Sequence, residues 1–397
     1  MTTSITDPIV IVGAARTPMG SFQGEFSSLA AHDLGGVAIK SAVARAGVSV
    51  ELVDEVLFGN CLMAGQGQAP ARQAAFKGGL PISAGAVTLS KMCGSGMRAA
   101  MFGHDMLLAG SADVVVAGGM ESMTNAPYLL QKARGGYRIG HDRVMDHMML
   151  DGLEDAYEAG RSMGTFGEDC AAKYGFTREQ QDQFAITSVQ RAQAATKSGA
   201  FAAEITPVTV KGRAGDTVIS TDEAPGKVKL EKIPTLKPAF KKDGTITAAS
   251  SSSISDGAAA LVMMRASTAA KMGLTPLARI VSHAVHAQEP NWFATAPIGA
   301  VNKVLAKAGW SVGDVDLWEV NEAFAVVPMA LMHDLKLSHD IVNVNGGACA
   351  LGHPIGCSGA RIMVTLMYAL QARGLKKGVA TLCIGGGEGT AVALEML

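Results

Sequence analysis

Two cysteines in this chain stand in glycine-rich segments, where a thiol and backbone N–H groups can face a substrate together. Cys93 comes directly before Gly94-Ser95-Gly96, at the predicted start of a helix. Unpaired N–H groups and the positive end of the helix dipole lower the pKa of a thiol at such a position and favour the thiolate. Cys93 is therefore a candidate nucleophile; a small buried cysteine beside a tight turn is the alternative interpretation.

Cys383 ends a predicted strand and is followed by a glycine run at residues 385–387. The run lacks the Gly-x-Gly-x-x-Gly spacing, and no full βαβ unit follows it, so we exclude a dinucleotide-binding loop. Backbone N–H groups beside a second thiol, that of Gly385 among them, suit the binding of an oxyanion instead. A core cysteine within a strand is the commoner explanation of such a residue.

His353 lies between Gly352 and Pro354, in a loop of small residues that opens another predicted helix. A neutral imidazole there could take the proton of a thiol and later return it, although a loop histidine satisfied by the backbone is more common. Asn321 precedes an apolar helical segment. On the sequence alone, a helix cap is a better interpretation of Asn321 than an amide in a pocket.

A metal site is the other chemistry that this part of the chain could serve. Cys349, His353 and Cys357 are spaced four residues apart in a glycine-rich loop. That spacing fits no compact zinc pattern, and the sequence therefore predicts no metal site.

The elements that position these residues alternate between strands and helices. Short apolar runs at residues 9–12 and 114–116 are typical of buried parallel strands, and residues 34–46 and 97–108 place apolar side chains at helical spacing. This alternation predicts an α/β fold in which parallel sheets are covered by helices.

The chain also repeats itself. Gly47, Ser49 and Val50 recur 262 residues later, Gly96 corresponds to Gly359 at an offset of 263, and Gly118 to Gly385 at an offset of 267. Three matches in the same order predict a duplicated α/β domain, since the period is far too long for a solenoid. We expect an N-terminal domain at 1–268, with a loop domain inserted at about 121–250, and a C-terminal domain at 269–397.

Composition limits the classes of protein that the chain can belong to. Hydrophobic residues make up 48% and charged residues 17% of 397 residues, which allows a large core, and the net charge of −1 disfavours a nucleic-acid-binding protein. Six scattered cysteines form no disulfide framework. The first residues do not resemble a signal peptide, and the apolar stretch at 323–332 is too short to span a bilayer. We expect a cytoplasmic enzyme with no membrane partner.

Taken together, these segments resemble the thiolase family, which comprises acetyl-CoA acetyltransferases and 3-ketoacyl-CoA thiolases. The likeness covers essentially the whole chain and is most specific in four blocks: residues 93–96, 352–361, 383–387 and 321–324. It implies two related αβ halves in a layered α-β-α-β-α sandwich with an inserted loop domain. It also implies reversible condensation of acyl-CoA with acetyl-CoA to 3-ketoacyl-CoA and free CoA, with acetoacetyl-CoA as the expected short-chain product.

The resemblance assigns catalytic roles to the residues singled out above. It implies that Cys93 holds the acyl group as a thioester with help from His353, and that Cys383 removes a proton from the methyl group of acetyl-CoA. His353 with a water held by Asn321 would form one oxyanion hole. The backbone N–H groups of Cys93 and Gly385 would form the other.

The resemblance further implies substrate- and CoA-binding roles for Ser252, Met163, Phe324, Lys227 and Phe293. Ser252 corresponds to the serine that contacts pantetheine, and Lys227 is nearest to the basic residue expected at the adenine. Phe293 stands where acetoacetyl-specific members usually have Met. Coenzyme A enters as substrate and product, and no separate cofactor is implied.

Other functions remain compatible with parts of the pattern. A decarboxylating condensing enzyme would share the duplicated fold, but it would not need Cys383. A longer-chain thiolase of fatty-acid β-oxidation and an inactive protein that only binds acyl-CoA or lipid are the further alternatives. The family likeness also implies a homodimer or a tetramer built from two dimers, with residues 129–149 as the candidate contact between dimers.

Overall fold

The computed structural model describes residues 6–213 and 215–397 as alternating strands and helices. The strands are β1 (Ile9–Arg16), β2 (Gly20–Ser21), β3 (Glu55–Gly59), β4 (Gly85–Leu89), β5 (Val114–Ser122), β6 (Tyr128–Leu129), β7 (Met145–Asp146), β8 (Val208–Val210), β9 (Thr217–Ile219), β10 (Ser255–Arg265), β11 (Ala278–Ala287), β12 (Leu317–Val320), β13 (Lys377–Ile384) and β14 (Glu388–Met396). The helices are α1 (Ala31–Ala46), α2 (Pro70–Lys77), α3 (Ser95–Ala109), α4 (Met163–Tyr174), α5 (Arg178–Ser198), α6 (Ala266–Lys271), α7 (Ala296–Ala308), α8 (Val326–Leu335), α9 (Ala348–Leu351) and α10 (Ile355–Arg373). The apolar runs and helical patterns recognised in the sequence thus lie in β1, β5, α1 and α3.

The main sheet contains the same strand arrangement twice. Its order is β12-β13-β14-β11-β1-β10-β5-β3-β4. In one half β1, β10 and β5 pair antiparallel and β5 pairs parallel with β3; in the other, β11, β14 and β13 pair antiparallel and β13 pairs parallel with β12. The two halves meet where β1 pairs with β11. The repeat in the sequence therefore corresponds to a repeat in topology.

The expectation of parallel sheets is correct only for β3, β4 and β5 and for β12 with β13, because the remaining pairs of each half are antiparallel. β14 returns directly from β13 through the short glycine turn at 385–387, and a connection of that length joins only antiparallel neighbours. β10 follows the long inserted region and also runs antiparallel to both of its neighbours.

Helices α3 and α10 pack together in a layer shared by both halves. Their side chains belong to one apolar cluster that also includes residues of β1, β10 and β13. The two helices approach closely at glycines: a Cβ on Gly96 would lie 2.8 Å from the backbone nitrogen of Ala360, and one on Gly359 would lie 2.5 Å from that of Met97. Neither position has room for a side chain, so this contact requires glycine.

Residues between β5 and β10 form the β6-β7 and β8-β9 ribbons and helices α4 and α5. The carboxylate of Glu168 on α4 accepts hydrogen bonds of 2.9 Å from the backbone N–H groups of Thr245 and Ile246, which holds the last part of the segment against α4. Among the described residues, none of the helices is long and apolar enough to cross a membrane.

A buried ion cluster links the inserted region to the sheet. The guanidinium of Arg16, at the end of β1, donates to Glu204 at 2.6 Å and to both oxygens of Asp222 at 2.7 and 2.9 Å. All three side chains are buried. Because the charges are removed from water, each carboxylate depends on Arg16 for its compensation.

Replacing Arg16 by methionine should therefore destabilise the protein by about 3–5 kcal/mol, since two buried carboxylates lose the guanidinium that is bonded to both of them. The shift in the urea unfolding midpoint at fixed protein concentration measures this. Lys132→Met provides the control, because Lys132 pairs with Asp142 at 3.0 Å but is 72% exposed. That change should cost less than about 1 kcal/mol. Equal shifts for the two variants would contradict the stabilising role of the cluster.

Candidate active site

One cavity collects residues from both halves and from the inserted region. Its lining comprises Met92, Cys93, Gly152, Leu153, Met163, Ser252, Phe293, Ala323, Phe324, His353, Ile355 and Gly385. Most of the site residues expected from the sequence are in this set, although they come from distant parts of the chain. The cavity lies where the turns after β4 and β13 meet the start of α10.

Cys93 lies in the turn between β4 and α3. Met92 before it adopts a left-handed conformation with φ of 45°, and Gly94 is the residue at the cap of the helix. Burial raises the pKa of the Cys93 thiol to about 11, and the nearby Glu121 carboxylate acts in the same direction. Hydrogen bonds from the N–H groups of Gly385 and of Cys93 itself oppose this rise. The expectation of a lowered thiol pKa is thus wrong for the free protein, because desolvation outweighs the helix N-terminus.

The hydrogen bonds of His353 define its tautomer. Ser358 Oγ donates to the carbonyl of Pro354 at 2.9 Å, so it accepts from Nδ1–H of His353 at 2.5 Å. Nε2 therefore presents its lone pair, which accepts a hydrogen bond of 3.5 Å from the amide nitrogen of Asn321. Burial, together with the charge of Arg361, lowers the pKa of His353 to about 3. The imidazole is neutral at physiological pH and can act as a base through Nε2.

Cys383 is fully buried at the end of β13 and is not among the residues that line the cavity. Burial raises the pKa of its thiol well above the usual value, and a charge on Cys93 would raise it further. Their segments are in contact, because Ile384 packs against Gly94 and the N–H of Gly385 donates to the Cys93 sulfur. The structure therefore brings the two cysteine-bearing segments together even though 290 residues separate them in the sequence.

Asn321 is not a helix cap, and the sequence interpretation is wrong on this point. Helix α8 begins only at Val326, and its cap residue is Ala325. Asn321 is buried, and its Oδ1 has no hydrogen-bond partner among the described residues. Its amide faces His353 instead, as the alternative interpretation proposed.

Two buried carboxylates that the sequence analysis did not identify hold the site loops. Glu121, at the end of β5, accepts from the backbone N–H groups of Cys61 and Gly356 at 2.9 Å, and from Asn60 Nδ2 at 2.5 Å. Burial raises the pKa of Glu121 to about 7. A carboxylate directly after a run of buried strand residues was the available signal in the sequence.

Glu322 plays the equivalent part in the other half. Its carboxylate accepts from Ser188 Oγ at 2.7 Å, Asn343 Nδ2 at 2.8 Å and the backbone N–H of Cys349 at 3.0 Å. These contacts join α5 and α9 to the loop that carries Asn321. Of the adjacent residues Asn321 and Glu322, the first thus places its amide at the pocket and the second holds the loop beneath it.

Four of the five expected substrate contacts line the cavity, and one does not. Ser252 donates from both its N–H and its Oγ to the carbonyl of Ala323 at 3.0 Å, which brings its loop to the cavity. The rings of Phe293 and Phe324 lie 6.4 Å apart on the same cavity wall. Met163 is the first residue of α4 and lines the cavity beside Gly385. Lys227 lies outside this lining and pairs with Glu223 at 2.5 Å.

Comparison with known proteins gives a consistent family assignment. Residues 9–267 match the thiolase N-terminal domain, and residues 274–396 match the thiolase C-terminal domain. An acetyl-CoA acetyltransferase of Rhizobium meliloti is 50% identical over 98% of this chain and 99% of its own length. Acetyl-CoA acetyltransferase 2 of Arabidopsis thaliana is also 50% identical, over 98% of this chain and 97% of its own.

Solved structures show the same likeness. The acetyl-CoA acetyltransferase of Bacillus anthracis superposes with a TM-score of 0.96 at 41% identity, covering 98% of this chain and 99% of that one. The Acat5 thiolase of Ascaris suum, solved in complex with coenzyme A, gives a TM-score of 0.93 at 42% identity, over 98% and 100% of the two chains. On the strength of both matched domains and relatives at half identity over nearly its full length, this chain belongs to the thiolase family.

Proposed function

We propose that this chain catalyses the reversible condensation of two acetyl-CoA molecules to acetoacetyl-CoA and free CoA. The observation that carries the proposal is the meeting of Cys93, the N–H of Gly385 and the neutral His353 at one cavity. Relatives named acetyl-CoA acetyltransferases, similar over nearly the whole chain, support the substrate assignment. A longer-chain 3-ketoacyl-CoA thiolase and an inactive acyl-CoA-binding protein are the alternatives.

The first half of the proposed reaction transfers an acyl group to the enzyme. His353 Nε2 accepts the proton of the Cys93 thiol as the sulfur attacks the thioester carbonyl. The bond between carbonyl carbon and CoA sulfur then breaks, and the departing CoA thiolate receives that proton. A thiol kept neutral by burial becomes nucleophilic only as the proton moves, which suits a site that must exclude water from the thioester.

The second half forms the carbon–carbon bond. Cys383 first gives its thiol proton to the neutral His353 and then, as a thiolate, removes a proton from the methyl group of a bound acetyl-CoA. The carbanion attacks the thioester carbonyl on Cys93, the bond from Cys93 sulfur to the acyl carbon breaks, and the sulfur takes back the proton held by His353 as acetoacetyl-CoA leaves. The proximity of the two thiols supports this division of labour between Cys93 and Cys383.

Negative charge develops on a carbonyl oxygen in each half of the reaction, and two sets of donors are available. The N–H groups of Cys93 and Gly385 point at the Cys93 sulfur, beside which the oxyanion of the tetrahedral intermediate would lie. Asn321 and His353 adjoin on another side of the cavity, and with a bound water they would stabilise the enolate. Separate donor sets are needed because the two charges arise on different carbonyl groups.

Coenzyme A is the proposed carrier of both substrates, with Ser252, Met163 and the two phenylalanines as its contacts at the cavity. Lys227 stays a proposed contact of the adenine end, which lies beyond the cavity. We propose no other cofactor, and we propose that the protein is cytoplasmic.

We also propose a homodimer that forms through β4. This strand lies at one edge of the sheet, and its Val87 is 47% exposed. An open edge strand favours pairing with a second copy of the chain. Residues 129–149 remain the proposed contact between dimers.

Substitution of the cysteines should separate the two half-reactions. Cys93→Ala should abolish exchange of labelled CoA with acetyl-CoA, because no thioester can form on the enzyme. Cys383→Ala should keep much of that exchange but lose condensation by about 10³-fold, together with deuterium exchange at the acetyl methyl group. His353→Ala should impair both half-reactions.

Cys170→Ala is the matched control, since it removes a fully buried thiol from the apolar cluster that also holds Cys383. It should leave both half-reactions near the wild-type rate. Loss of CoA exchange in Cys383→Ala as complete as in Cys93→Ala, with both proteins folded by circular dichroism, would contradict the assignment.

Substrate length is tested by thiolysis of a series of 3-ketoacyl-CoA substrates. Phe293 and Phe324 are large, nearly buried rings on the cavity wall, and they leave little space beyond a short acyl chain. We expect kcat/KM for acetoacetyl-CoA to exceed that for 3-ketodecanoyl-CoA by more than about tenfold. A higher value for 3-ketodecanoyl-CoA would favour the longer-chain alternative, and no CoA release with any substrate would favour an inactive binding protein.

The pKa of Cys93 predicts how alkylation of the free enzyme depends on pH. Because burial places this pKa at about 11, the thiolate fraction should rise about tenfold per pH unit throughout the neutral range. The rate of iodoacetamide labelling of the Cys93 peptide, followed by mass spectrometry, should therefore keep rising to about pH 10. The same peptide in the unfolded protein should reach half of its limiting rate at pH ~8.5. A half-maximal rate at or below that pH in the folded enzyme would contradict a thiol kept neutral by burial.

A further inference from the structure

A cluster of three metal-ligating side chains lies outside the candidate active site. His104 and Asp105 belong to α3, and His283 belongs to β11. His283 Nε2 is 3.2 Å from His104 Nδ1 and 2.9 Å from Asp105 Oδ1, and these last two atoms are 3.2 Å apart. Three potential ligand atoms thus form a nearly equilateral triangle.

Hydrogen bonds alone do not account well for this triangle. Each imidazole nitrogen carries either one hydrogen or one lone pair, and an N–H can point at only one partner. If both nitrogens donate to Asp105 Oδ1, the two nitrogens are left 3.2 Å apart with no hydrogen between them; if one nitrogen accepts, the other must share its hydrogen between two partners. A cation bonded to all three atoms satisfies every contact at once.

The dimensions match a tetrahedral metal ion. Zinc binds imidazole nitrogen and carboxylate oxygen at about 2.0–2.2 Å, which places neighbouring ligand atoms about 3.3 Å apart. The observed separations of 2.9–3.2 Å are close to this before any adjustment of the side chains. Two imidazoles and one carboxylate are also a donor set that divalent transition metals bind in preference to calcium or magnesium.

The protein around the cluster holds the two imidazole rings in place and leaves a path by which an ion can reach them. The side chains of His104 and His283 are only 7% and 15% exposed, and their rings meet edge to face at 86°. Asp105 is 53% exposed and provides access from solvent. Lys307 directs its ammonium to the backbone carbonyl of His283 at 3.0 Å rather than to the ligand atoms.

We infer that His104 Nδ1, Asp105 Oδ1 and His283 Nε2 bind a divalent transition-metal ion of the zinc class, with water as the fourth ligand. The ion would join α3, in the first half of the duplicated fold, to the first strand of the second half. His104 lies about 14 Å along α3 from the end that follows Cys93, so the ion is remote from the thiols. Its role is to stabilise the contact between the halves, independently of the proposed reaction.

The test is titration of the full-length enzyme with Co²⁺ and with Zn²⁺, each added to metal-free protein. Co²⁺ distinguishes the ligands, because cysteine ligation adds sulfur-to-metal charge-transfer absorption that nitrogen and oxygen ligation lacks. The wild-type protein should bind one Co²⁺ ion that shows d–d absorption and no sulfur-to-metal charge-transfer band. Zn²⁺ should displace the Co²⁺ and raise the unfolding temperature of the protein.

Asp105→Asn and His283→Gln should each weaken this binding at least about tenfold, and the zinc-dependent rise in unfolding temperature should disappear. His333→Gln is the control, because His333 forms a similar pair with the adjacent Asp334 at 2.9 Å, and no third ligand joins that pair in the part of the chain that the structure describes. Its binding should equal that of wild type. The inference is overturned if wild type binds no stoichiometric ion, if binding shows sulfur ligation, or if the exposed Asp105→Asn change leaves affinity unaltered.

Discussion

The close approach of α3 and α10 is the constraint on which the candidate site depends. Cys93 precedes one helix and His353 precedes the other, and they come from different halves of the duplicated fold. The helices can meet at this distance only because Gly96 and Gly359 leave no Cβ between the two backbones. Any side chain at either glycine would separate the helices and, with them, the thiol from the imidazole. The packing of two helix ends therefore determines the geometry of the chemistry.

Buried carboxylates hold the loops around this contact in place. Glu121 binds backbone N–H groups at the start of α10, and Glu322 binds those at the start of α9. Each lies at or just after the end of a strand in its half of the sheet, so the two perform corresponding tasks. Burying a carboxyl group is costly, and burial raises the pKa of Glu121 to about 7. Backbone and side-chain donors offset that cost, which makes these residues structural supports for the site rather than reactants.

The same burial sets the charge state of the reactive groups. It raises the pKa of both thiols and lowers that of His353, so all three groups are neutral before substrate binds. A neutral thiol beside a neutral base needs only one proton transfer to become nucleophilic. The N–H groups of Cys93 and Gly385 are already directed at the place where charge will develop. The site is thus organised for charge that appears during the reaction and not for charge present at rest.

Much of this organisation was predictable from the sequence because it is local or repeated. The glycine-flanked Cys93 and His353, the strand end at Cys383 and the recurrence of residues at an offset near 262 are visible in the sequence, and the core strands and helices follow from apolar patterns. The antiparallel course of β10, the position of Asn321 and the raised pKa of Cys93 were not predictable. Strand direction depends on which neighbours pair, and Asn321 reaches the pocket because Ser250 and Thr381, distant in sequence, hold its loop. The helix N-terminus is a local influence on Cys93, whereas desolvation is the work of the whole surrounding fold. Sequence therefore determined which residues could react, and tertiary structure decided their neighbours, their protonation and the contact between His104, Asp105 and His283.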